Sequence, residues 1–568
     1  MTGKRALLYS VLGWALFAFA VPPVGFVPFA LFGLVPWILT FETAPSRGFK
    51  RRFLLGMSLY GAYHLQWVGA ITGFAGPAAL LVLALIYFGF QIPVAYLLRW
   101  AILEKRARPF WALPLFLTLN DILREAAIGG ICWHTAGMAF APWNTFIQGM
   151  SWVRVWPFTF FAYAANAFVA AVLVAWRRGE FGVERARLFR AALGLCGFVL
   201  AALAVGFYEI QEARSELRPG PTLIGLQGNV AQGDKMKTPE NAENPHHLRY
   251  LDLAREGLKA HPDAALVIWP ETSIRPSIHD SERPKEWHGF PLRYWLDGPR
   301  PGSQRSLASQ LAEVDPKPAA RRLWIGGVIY RDDMPSGDYD EWGKGIRERN
   351  AALLLETGGG RLRVVDRYFK RKLVPLGEYI PLRGLIPGRD RLKAAIDDAV
   401  GFVPAMTAGE AAGLWSLKDG DGGHKFGINI CFEIAYPEIF REARRSGAEF
   451  VVNISNDAWY GTSSEMDLVH LHTMVRAIES RTSIFRVSNT GITTLIDPLG
   501  REVATVEAGG ERKEVAGVLA AAVPIGRSVS FYVRMGDLGG AAFGLFAGLY
   551  GLWLRRCRDS RRDEIRRS

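Results

Sequence analysis

The chain has 568 residues and a formal net charge of +13, with 67 Lys and Arg against 54 Asp and Glu. This length is too great for one hydrophobic core, so at least two structural units are predicted. Apolar residues concentrate in residues 1–210 and 537–554, whereas residues 215–525 have the mixed composition of a soluble domain. The basic residues cluster between the apolar runs and in the C-terminal tail, a distribution that argues against a nucleic-acid-binding groove.

Eight apolar runs are candidates for transmembrane helices, which need about 20 apolar residues. They are residues 6–21, 22–42, 53–72, 77–98, 110–123, 157–176, 189–208 and 538–554. Basic clusters follow the second, fourth, sixth and eighth runs, and loops 22–25 and 72–77 carry no Lys or Arg. Because basic loops stay in the cytoplasm, the pattern predicts eight spans with both termini inside. The large segment between the seventh and eighth spans is then outside.

The charge pattern thus predicts four parts. They are transmembrane helices 1 to 7 in residues 1–210, an outward, periplasmic domain in residues 220–525, a last transmembrane helix in residues 536–556 and a basic cytoplasmic tail in residues 557–568. The outward domain holds one of the four cysteines, Cys431, so it has neither an internal disulfide nor a cysteine-based metal site.

From Thr222 onward, short β-rich runs alternate with amphipathic segments, which predicts an α/β fold with helices covering the sheet faces. The predicted strands are Thr222–Gln227, Ala265–Trp269, Leu323–Tyr330, Ala351–Glu356, Lys425–Cys431, Phe450–Ile454, Ser483–Ser488 and Thr493–Asp497. The predicted helices lie near residues 245–260, 304–314, 437–446 and 465–480. Segments 274–304 and 379–405 lack clear periodicity, and loops of such length often act as lids or arms.

Three residues with catalytic chemistry stand at the ends of apolar runs. Glu271 follows the run 266–269 and can act as a general base, the alternative being a helix-capping or ion-pairing Glu. Lys370 opens an extended run with two prolines, where a fixed ammonium would stabilise a thiolate and an oxyanion. Cys431 ends a strand at a strand-to-helix turn, as a nucleophile or as a buried structural cysteine. Their occurrence in one α/β domain predicts a thiol-based catalytic triad.

This Glu–Lys–Cys set resembles that of the carbon–nitrogen hydrolase (nitrilase) superfamily. Together with the flanking spans, four runs resemble in particular the bacterial apolipoprotein N-acyltransferases: Gln227-Gly228-Asn229, Trp-Pro-Glu-Thr at 269–272, Lys-Leu-Val-Pro-Leu-Gly-Glu at 372–378 and Asn-Asp-Ala-Trp-Tyr-Gly at 456–461. The resemblance implies a multi-span α-helical membrane domain, of about eight spans, that carries an α/β nitrilase-like αββα sandwich.

The same resemblance implies roles for individual residues. Glu271 would be the base, Lys370 the stabiliser of the thiolate and the oxyanion, and Cys431 the acylated nucleophile. Glu378 and Glu433 carry over as supporting active-site carboxylates. The expected substrate-binding residues are Phe432, which stands where the family often has Tyr, together with Trp459 and Tyr379.

In that family an acyl chain passes from a phospholipid, typically phosphatidylethanolamine, to the cysteine and then to the amine of a diacylglyceryl-cysteine apolipoprotein. The resemblance therefore implies a phospholipid donor, apolipoprotein acceptors and a monomer in the bacterial inner membrane, with the catalytic domain in the periplasm. It implies no cofactor, no metal and no nucleic-acid partner. The alternative is a membrane-tethered nitrilase-type amidase that hydrolyses a small amide.

Other segments have simpler interpretations. Asn166 is expected to form hydrogen bonds between helices, and Arg476 and Glu479, three residues apart on a helix, to form an ion pair. Three polar residues after a predicted strand are expected to shape the pocket floor through backbone hydrogen bonds: Asn453, Asn456 and Asp457. Loop 379–405 is interpreted as an amphipathic arm in the lipid interface, through Ile380, Leu382, Leu385 and Ile386.

Overall fold

The computed structural model describes most of the chain and divides it into two compact units. The described residues are 3–43, 48–70, 75–105, 107–126, 133, 135–237, 245–274, 277–280, 290–291, 296, 305–334, 346–380, 405–417 and 423–567. The first unit comprises Met1–Gly69, Gly76–Glu212 and Ser530–Ser568, and the second comprises Ala70–Ala75 and Ala213–Val529.

Helices make up the first unit and cover the sheets of the second. They are α1 (Gly3–Ala18), α2 (Phe29–Phe32), α3 (Val35–Thr43), α4 (Phe49–Leu65), α5 (Ala75–Arg99), α6 (Pro109–Ala126), α7 (Asn144–Ile147), α8 (Met150–Val153), α9 (Trp156–Arg177), α10 (Phe181–Glu216), α11 (Gln232–Lys237), α12 (Pro245–Ala260), α13 (Leu307–Val314), α14 (Pro437–Arg445), α15 (Glu465–Ser480), α16 (Phe531–Met535) and α17 (Leu538–Arg567). Short 3-10 helices span Gln66–Ala70, Ala136–Phe140, Cys431–Ala435 and Asp457–Tyr460, and a π-helix spans Trp100–Glu104.

Each predicted apolar run contains helix, and three segments of the described chain are long and apolar enough to cross a membrane. These are Leu83–Glu104, Trp156–Arg177 and Phe181–Glu216. The second run is predicted as one transmembrane helix, but in the structure it divides into α2 and α3. The count of eight spans stays a prediction.

The break between α2 and α3 is stabilised by Asn166 of α9. The Asn166 amide donates to the carbonyl of Ala30 at 2.7 Å and accepts from the N–H of Leu34 at 2.7 Å. Where a helix breaks in an apolar environment, the unpaired backbone N–H and C=O groups have no water to bind, so a side-chain amide must supply their hydrogen bonds. The predicted hydrogen bonding of Asn166 between helices is thereby confirmed. Gly33 is needed beside it, since a Cβ there would lie 2.6 Å from the backbone N of Phe17.

The second unit contains two β-sheets. Its strands are β1 (Arg218–Gln227), β2 (Leu266–Ile268), β3 (Ile278–Asp280), β4 (Phe290–Pro291), β5 (Arg322–Asp333), β6 (Ile346–Gly358), β7 (Arg361–Phe369), β8 (Leu414–Leu417), β9 (His424–Ile430), β10 (Phe450–Ser455), β11 (Ser483–Ser488), β12 (Thr494–Ile496), β13 (Glu502–Thr505) and β14 (Gly517–Ile525). The first sheet runs β14-β1-β2-β5-β3-β4, with β6 on β5 and β7 on β6, and the second runs β13-β12-β11-β10-β9-β8.

The two sheets face each other across an apolar core, and helices cover their outer faces. Side chains of the first sheet such as Leu223, Ile268, Ile325 and Leu354 cluster with Ile428, Ile454 and Val487 of the second. Helices α12 and α13 pack on the first sheet, and α14 and α15 pack on the second. The parallel strands β10 and β11 are buried at every position, as expected for strands covered on both faces. The predicted αββα sandwich is confirmed.

Several elements differ from, or add to, those predicted. The described chain contains six strands that the sequence reasoning missed: β3, β4, β7, β8, β13 and β14. The most consequential is β7, in which charged and apolar residues mix because it lies at an edge of the sheet, paired with β6. The predicted Arg476–Glu479 ion pair is confirmed at 3.0 Å and is buried. In the predicted arm, Leu382, Leu385 and Ile386 lie outside the described residues.

We predict that Gly327→Ala destabilises the protein by about 1–3 kcal/mol, because the added methyl group has no free space and overpacks the core. A Cβ at Gly327 of β5 would lie 2.6 Å from the Cα of Glu271 and 2.6 Å from the carbonyl oxygen of Pro270. Backbone cannot move aside as a flexible side chain can. The measurement is the melting temperature of the purified full chain in detergent.

Gly358→Ala is the matched control, because a Cβ at this glycine of β6 would be 3.5 Å from its nearest neighbour, an ordinary contact. Equal melting temperatures for the two variants would contradict the close approach of β5 to the turn that carries Glu271.

Candidate active site

The three residues of the predicted triad lie at the ends of strands in the two facing sheets. Glu271 follows β2 and Lys370 follows β7 in the first sheet, whereas Cys431 follows β9 in the second. The Lys370 ammonium nitrogen is 3.4 Å from Glu271 Oε1, and it interacts electrostatically with Cys431. The structure therefore brings together three residues that are distant in sequence.

Lys370 is held in a buried cluster of carboxylates. Its side chain is 1% exposed, and its Nζ lies 2.9 Å from Glu378 Oε1. Asn350 of β6 bridges the two acids, since its Nδ2 donates to Glu271 Oε1 at 2.6 Å and to Glu378 Oε1 at 2.9 Å. Burial by itself lowers the pKa of Lys370, but Glu378 and Glu271 outweigh it, so the net pKa is raised and the ammonium stays charged.

Glu271 itself is buried and fully engaged. Its Oε1 faces Lys370 and Asn350, and its Oε2 accepts a hydrogen bond from the backbone N–H of Asn456 at 2.8 Å. The expected backbone hydrogen bonding of Asn456 is thus confirmed, and it orients the carboxylate. Trp269, just before Glu271, stacks on Tyr250 in the outer core with ring centroids 5.3 Å apart.

Cys431 sits at an elbow with a backbone φ of +52°, in a left-handed conformation that residues other than glycine rarely adopt. Such a conformation costs about 1–3 kcal/mol and persists where surrounding contacts impose it. The elbow begins the 3-10 helix Cys431–Ala435 and leaves the cysteine partly accessible. This geometry holds the Cys431 side chain at the end of the strand, where it interacts with Glu271 and Lys370.

Glu433 imposes the elbow. It is fully buried and accepts hydrogen bonds from the N–H of Ile430 at 2.7 Å and from the hydroxyl of Tyr368 at 2.8 Å. It also accepts from the N–H groups of Arg371 at 2.7 Å and Lys372 at 3.0 Å. These bonds tie the turn of the nucleophile to the segment that carries Lys370. The geometry favours a positioning role for Glu433.

The thiol of Cys431 is difficult to ionise. Its removal from water and the Glu271 carboxylate raise its pKa well above the usual value, and the Lys370 ammonium opposes that rise. At neutral pH the resting group is therefore a thiol. For such a thiol to attack as a nucleophile, a nearby base must accept its proton, and Glu271 is a carboxylate that interacts with it.

The three expected substrate-binding residues have different settings. Phe432 is buried and meets Tyr436 edge to face with ring centroids 5.3 Å apart. Tyr379 bridges through its backbone to Pro375 and Ala405. Trp459 lies in the 3-10 helix Asp457–Tyr460 and is partly exposed. Substrate binding by these residues stays a prediction.

Sequence reasoning missed Asn350 and misjudged how Asp457 acts. Asn453 donates to the backbone carbonyl of Cys431 at 3.4 Å, as the expected backbone hydrogen bonding requires. Asp457 instead accepts from the Arg486 side chain through its carboxylate at 2.6 Å. A signal for Asn350 existed, because it is a lone amide that opens the apolar run of β6.

We predict opposite effects of two substitutions on the titration of Cys431. Glu271→Gln removes a negative charge that disfavours the thiolate, so the thiol pKa should fall. Lys370→Met removes the opposing positive charge, so the pKa should rise. The measurement is the rate of iodoacetamide alkylation against pH, followed by mass spectrometry of the Cys431 peptide in the full chain.

Cys196 is a free thiol of the first unit, within the predicted span 189–208, and it provides an internal control whose alkylation should be the same in both variants. Shifts of Cys431 in the same direction in both variants would contradict the assignment of the two charges.

The chain is similar to known protein families and to named bacterial proteins over most of its length. A family model described as carbon-nitrogen hydrolase matches residues 230–530, and one described as the N-terminal domain of apolipoprotein N-acyltransferase matches residues 15–168. A Geobacter metallireducens protein named apolipoprotein N-acyltransferase is 28% identical over 545 residues, which cover 94% of this chain and 92% of that protein. An Allorhizobium ampelinum protein of the same name is 26% identical, with 92% of each chain covered.

Among solved structures, the crystal structure of Saccharomyces cerevisiae Nit3, described as a member of branch 10 of the nitrilase superfamily, is 16% identical. It aligns with a TM-score of 0.34 over 57% of this chain and 96% of that chain. The carbon-nitrogen hydrolase model matches more than half of the present sequence and includes Glu271, Lys370 and Cys431. The chain therefore belongs to the carbon–nitrogen hydrolase family.

Proposed function

We propose that the protein is an N-acyltransferase that moves an acyl chain from a phospholipid to the N-terminal amine of a diacylglyceryl apolipoprotein. The observation that carries the proposal is the buried Glu271–Lys370 pair, 3.4 Å apart, beside the Cys431 thiol. The match of residues 15–168 to the N-terminal domain of apolipoprotein N-acyltransferases, and the names of the relatives, support this choice of substrates.

In the first half-reaction Glu271 accepts the thiol proton while the Cys431 sulfur attacks the ester carbonyl carbon of the phospholipid. The Lys370 ammonium stabilises the negative charge that develops on the carbonyl oxygen. The bond to the glycerol oxygen then breaks, and Glu271 returns the proton to that oxygen. A thioester on Cys431 and a lysophospholipid result.

In the second half-reaction the amine of the apolipoprotein attacks the thioester carbonyl carbon. Glu271 takes a proton from the amine and returns it to the departing sulfur, so an amide forms and the thiol of Cys431 is restored. Because the thioester divides the transfer into two steps, the two bulky lipids need not be bound at the same time. Phosphatidylethanolamine is the donor that we propose.

The proposal includes a topology in a bacterial inner membrane. We propose eight spans with both termini in the cytoplasm, a catalytic domain in the periplasm in residues 220–525, a last span in residues 536–556 and a cytoplasmic tail in residues 557–568. The protein would act as a monomer. The Arg and Lys clusters on alternate loops support this orientation.

We predict that reporter fusions will place the two ends of α10 on opposite sides of the membrane. A phosphatase that is active only in the periplasm should be inactive when fused after Arg178 and active when fused after Arg218. A fluorescent protein that matures only in the cytoplasm should give the opposite result. The reverse pattern for both reporters would exclude the proposed orientation.

We predict that Cys431→Ala abolishes thioester formation while the protein remains folded and inserted, because the acylated atom is absent. The full chain in detergent is incubated with radiolabelled phosphatidylethanolamine, and the acyl-enzyme is trapped by acid precipitation. A diacylated lipopeptide with a free N-terminus is then added to the wild type, and the label should move to it.

Cys196→Ala is the matched control and should retain the label, since Cys196 is an exposed free thiol outside the site. A labelled Cys431→Ala variant would contradict the assignment of the nucleophile. Release of free fatty acid without acylation of the lipopeptide would instead indicate a hydrolase.

A further inference from the structure

The strand beside the nucleophile brings a buried serine to the same end of the second sheet. β9 and β10 are parallel, with Ile430 paired to Ile454, so Ser455 lies next to Cys431 in the adjoining strand. Ser455 is fully buried, and its hydroxyl is a neighbour that lowers the pKa of the Cys431 thiol. The strand pairing therefore places a hydroxyl group next to the cysteine of the proposed reaction.

Ser455 is held by Asp457. The Ser455 hydroxyl donates to Asp457 Oδ1 at 2.5 Å, and Asp457 Oδ2 accepts from Arg486 at 2.6 Å and from Ser488 at 2.8 Å. The Asp457 and Arg486 side chains are 1% and 2% exposed, and each neutralises the charge of the other. Gly491 leaves room for the acid, because a Cβ there would lie 1.9 Å from Asp457 Oδ2.

The same network reaches the backbone of the elbow and the base. Arg486 also donates to Asn453, whose amide donates to the Cys431 carbonyl at 3.4 Å. The residue between Ser455 and Asp457 donates its N–H to Glu271 Oε2 at 2.8 Å. The turn after β10 thus contacts both the nucleophile and the base of the proposed reaction.

A serine hydroxyl has one hydrogen and two lone pairs. While Ser455 donates to Asp457, its oxygen offers a lone pair to the S–H of Cys431. When the sulfur loses its proton, the hydroxyl can turn and donate to the thiolate, and Asp457 keeps its bonds from Arg486 and Ser488. The hydroxyl can therefore follow the charge of the sulfur without movement of the backbone.

We propose that Ser455 is a further catalytic residue, which accepts from the resting thiol of Cys431 and donates to the thiolate as it forms. Asp457 and Arg486 are positioning residues that act through Ser455. The inference rests on the proposed role of Cys431 as the nucleophile. In this proposal the thiolate is stabilised by two groups: the Lys370 ammonium from the first sheet and a neutral hydroxyl donor from the second.

The charged and titratable groups that interact with the Cys431 thiol come from several elements. They are Glu271, Lys370, Asp457, Tyr460 and Arg486. Substitution of Ser455 changes none of these charges. A change in the thiol titration in such a variant therefore reports the lost hydrogen bond rather than a lost charge.

The test compares Ser455→Thr with Ser455→Val, two side chains of equal size that differ in the hydroxyl. The measurement is the alkylation rate of Cys431 by iodoacetamide against pH in the full chain. Ser455→Val should raise the midpoint by about one pH unit and slow alkylation at neutral pH about ten-fold, because a hydrogen bond to a charged group is lost. Ser455→Thr should retain the wild-type midpoint.

Ser483→Ala is the control for structural loss. Ser483 of β11 is equally buried and donates to the carbonyl oxygen of Pro524, which is not part of the Asp457 network. Its midpoint should match the wild type. Equal midpoints for Ser455→Thr and Ser455→Val, or an equal shift in Ser483→Ala, would overturn the inference.

The alkylation readout uses no acyl donor or acceptor, so it separates the two proposals. A shift in Ser455→Val in an enzyme that does not acylate lipopeptide would leave the role of Ser455 intact and refute the proposed function. Lipopeptide acylation by an enzyme whose Ser455→Val midpoint is unchanged would refute the inference alone.

Discussion

The site depends on one buried electrostatic arrangement, in which the Lys370 ammonium lies between the carboxylates of Glu378 and Glu271. An ammonium that is 1% exposed has lost nearly all of its hydration and is stable only with partners at close range. Removal of one member of a buried pair typically costs about 3–5 kcal/mol, because the remaining charge is left uncompensated. With all three groups ionised, the cluster has one negative charge in excess. In the proposed reaction, acceptance of a proton by Glu271 removes that excess, so the arrangement that stabilises Lys370 also suits the role proposed for Glu271.

The two-sheet architecture explains how such a cluster comes to lie beside a thiol. The first sheet supplies Glu271 and Lys370, and the second supplies Cys431, so the three residues come together when the apolar inner faces of the sheets pack. Glu433 links the two halves, since its carboxylate binds the N–H of Ile430 next to the nucleophile and the N–H groups of Arg371 and Lys372 next to the cation. Backbone groups are rigid partners. Their use fixes the distance between the cation and the elbow more tightly than long side chains would.

Buried amides have related roles in the two units. In the helical unit, Asn166 satisfies the backbone of Ala30 and Leu34 where α2 gives way to α3. In the catalytic unit, Asn350 joins the two acids that hold Lys370. An amide carries both donors and acceptors without a net charge, so it can complete a buried network without adding to its electrostatic cost. Both residues are expected to tolerate substitution poorly for that reason.

The sequence by itself determined the α/β class and the identity of Glu271, Lys370 and Cys431 as candidates, because strand periodicity and residue type are local properties. The αββα arrangement was implied by the family resemblance. It also indicated the hydrogen bonding of Asn166 and the ion pair of Arg476 with Glu479. The tertiary structure decided the rest: the edge strand β7 that presents Lys370, the bridge made by Asn350, the backbone contacts of Glu433 and the place of Ser455 beside the sulfur. Each of these depends on pairing between strands or contact between sheets. Many of these contacts join residues far apart in the chain, such as Asn350 and Glu378, 28 positions apart, and Glu271 and Asn456, 185 positions apart, and no local pattern encodes a distance of that kind.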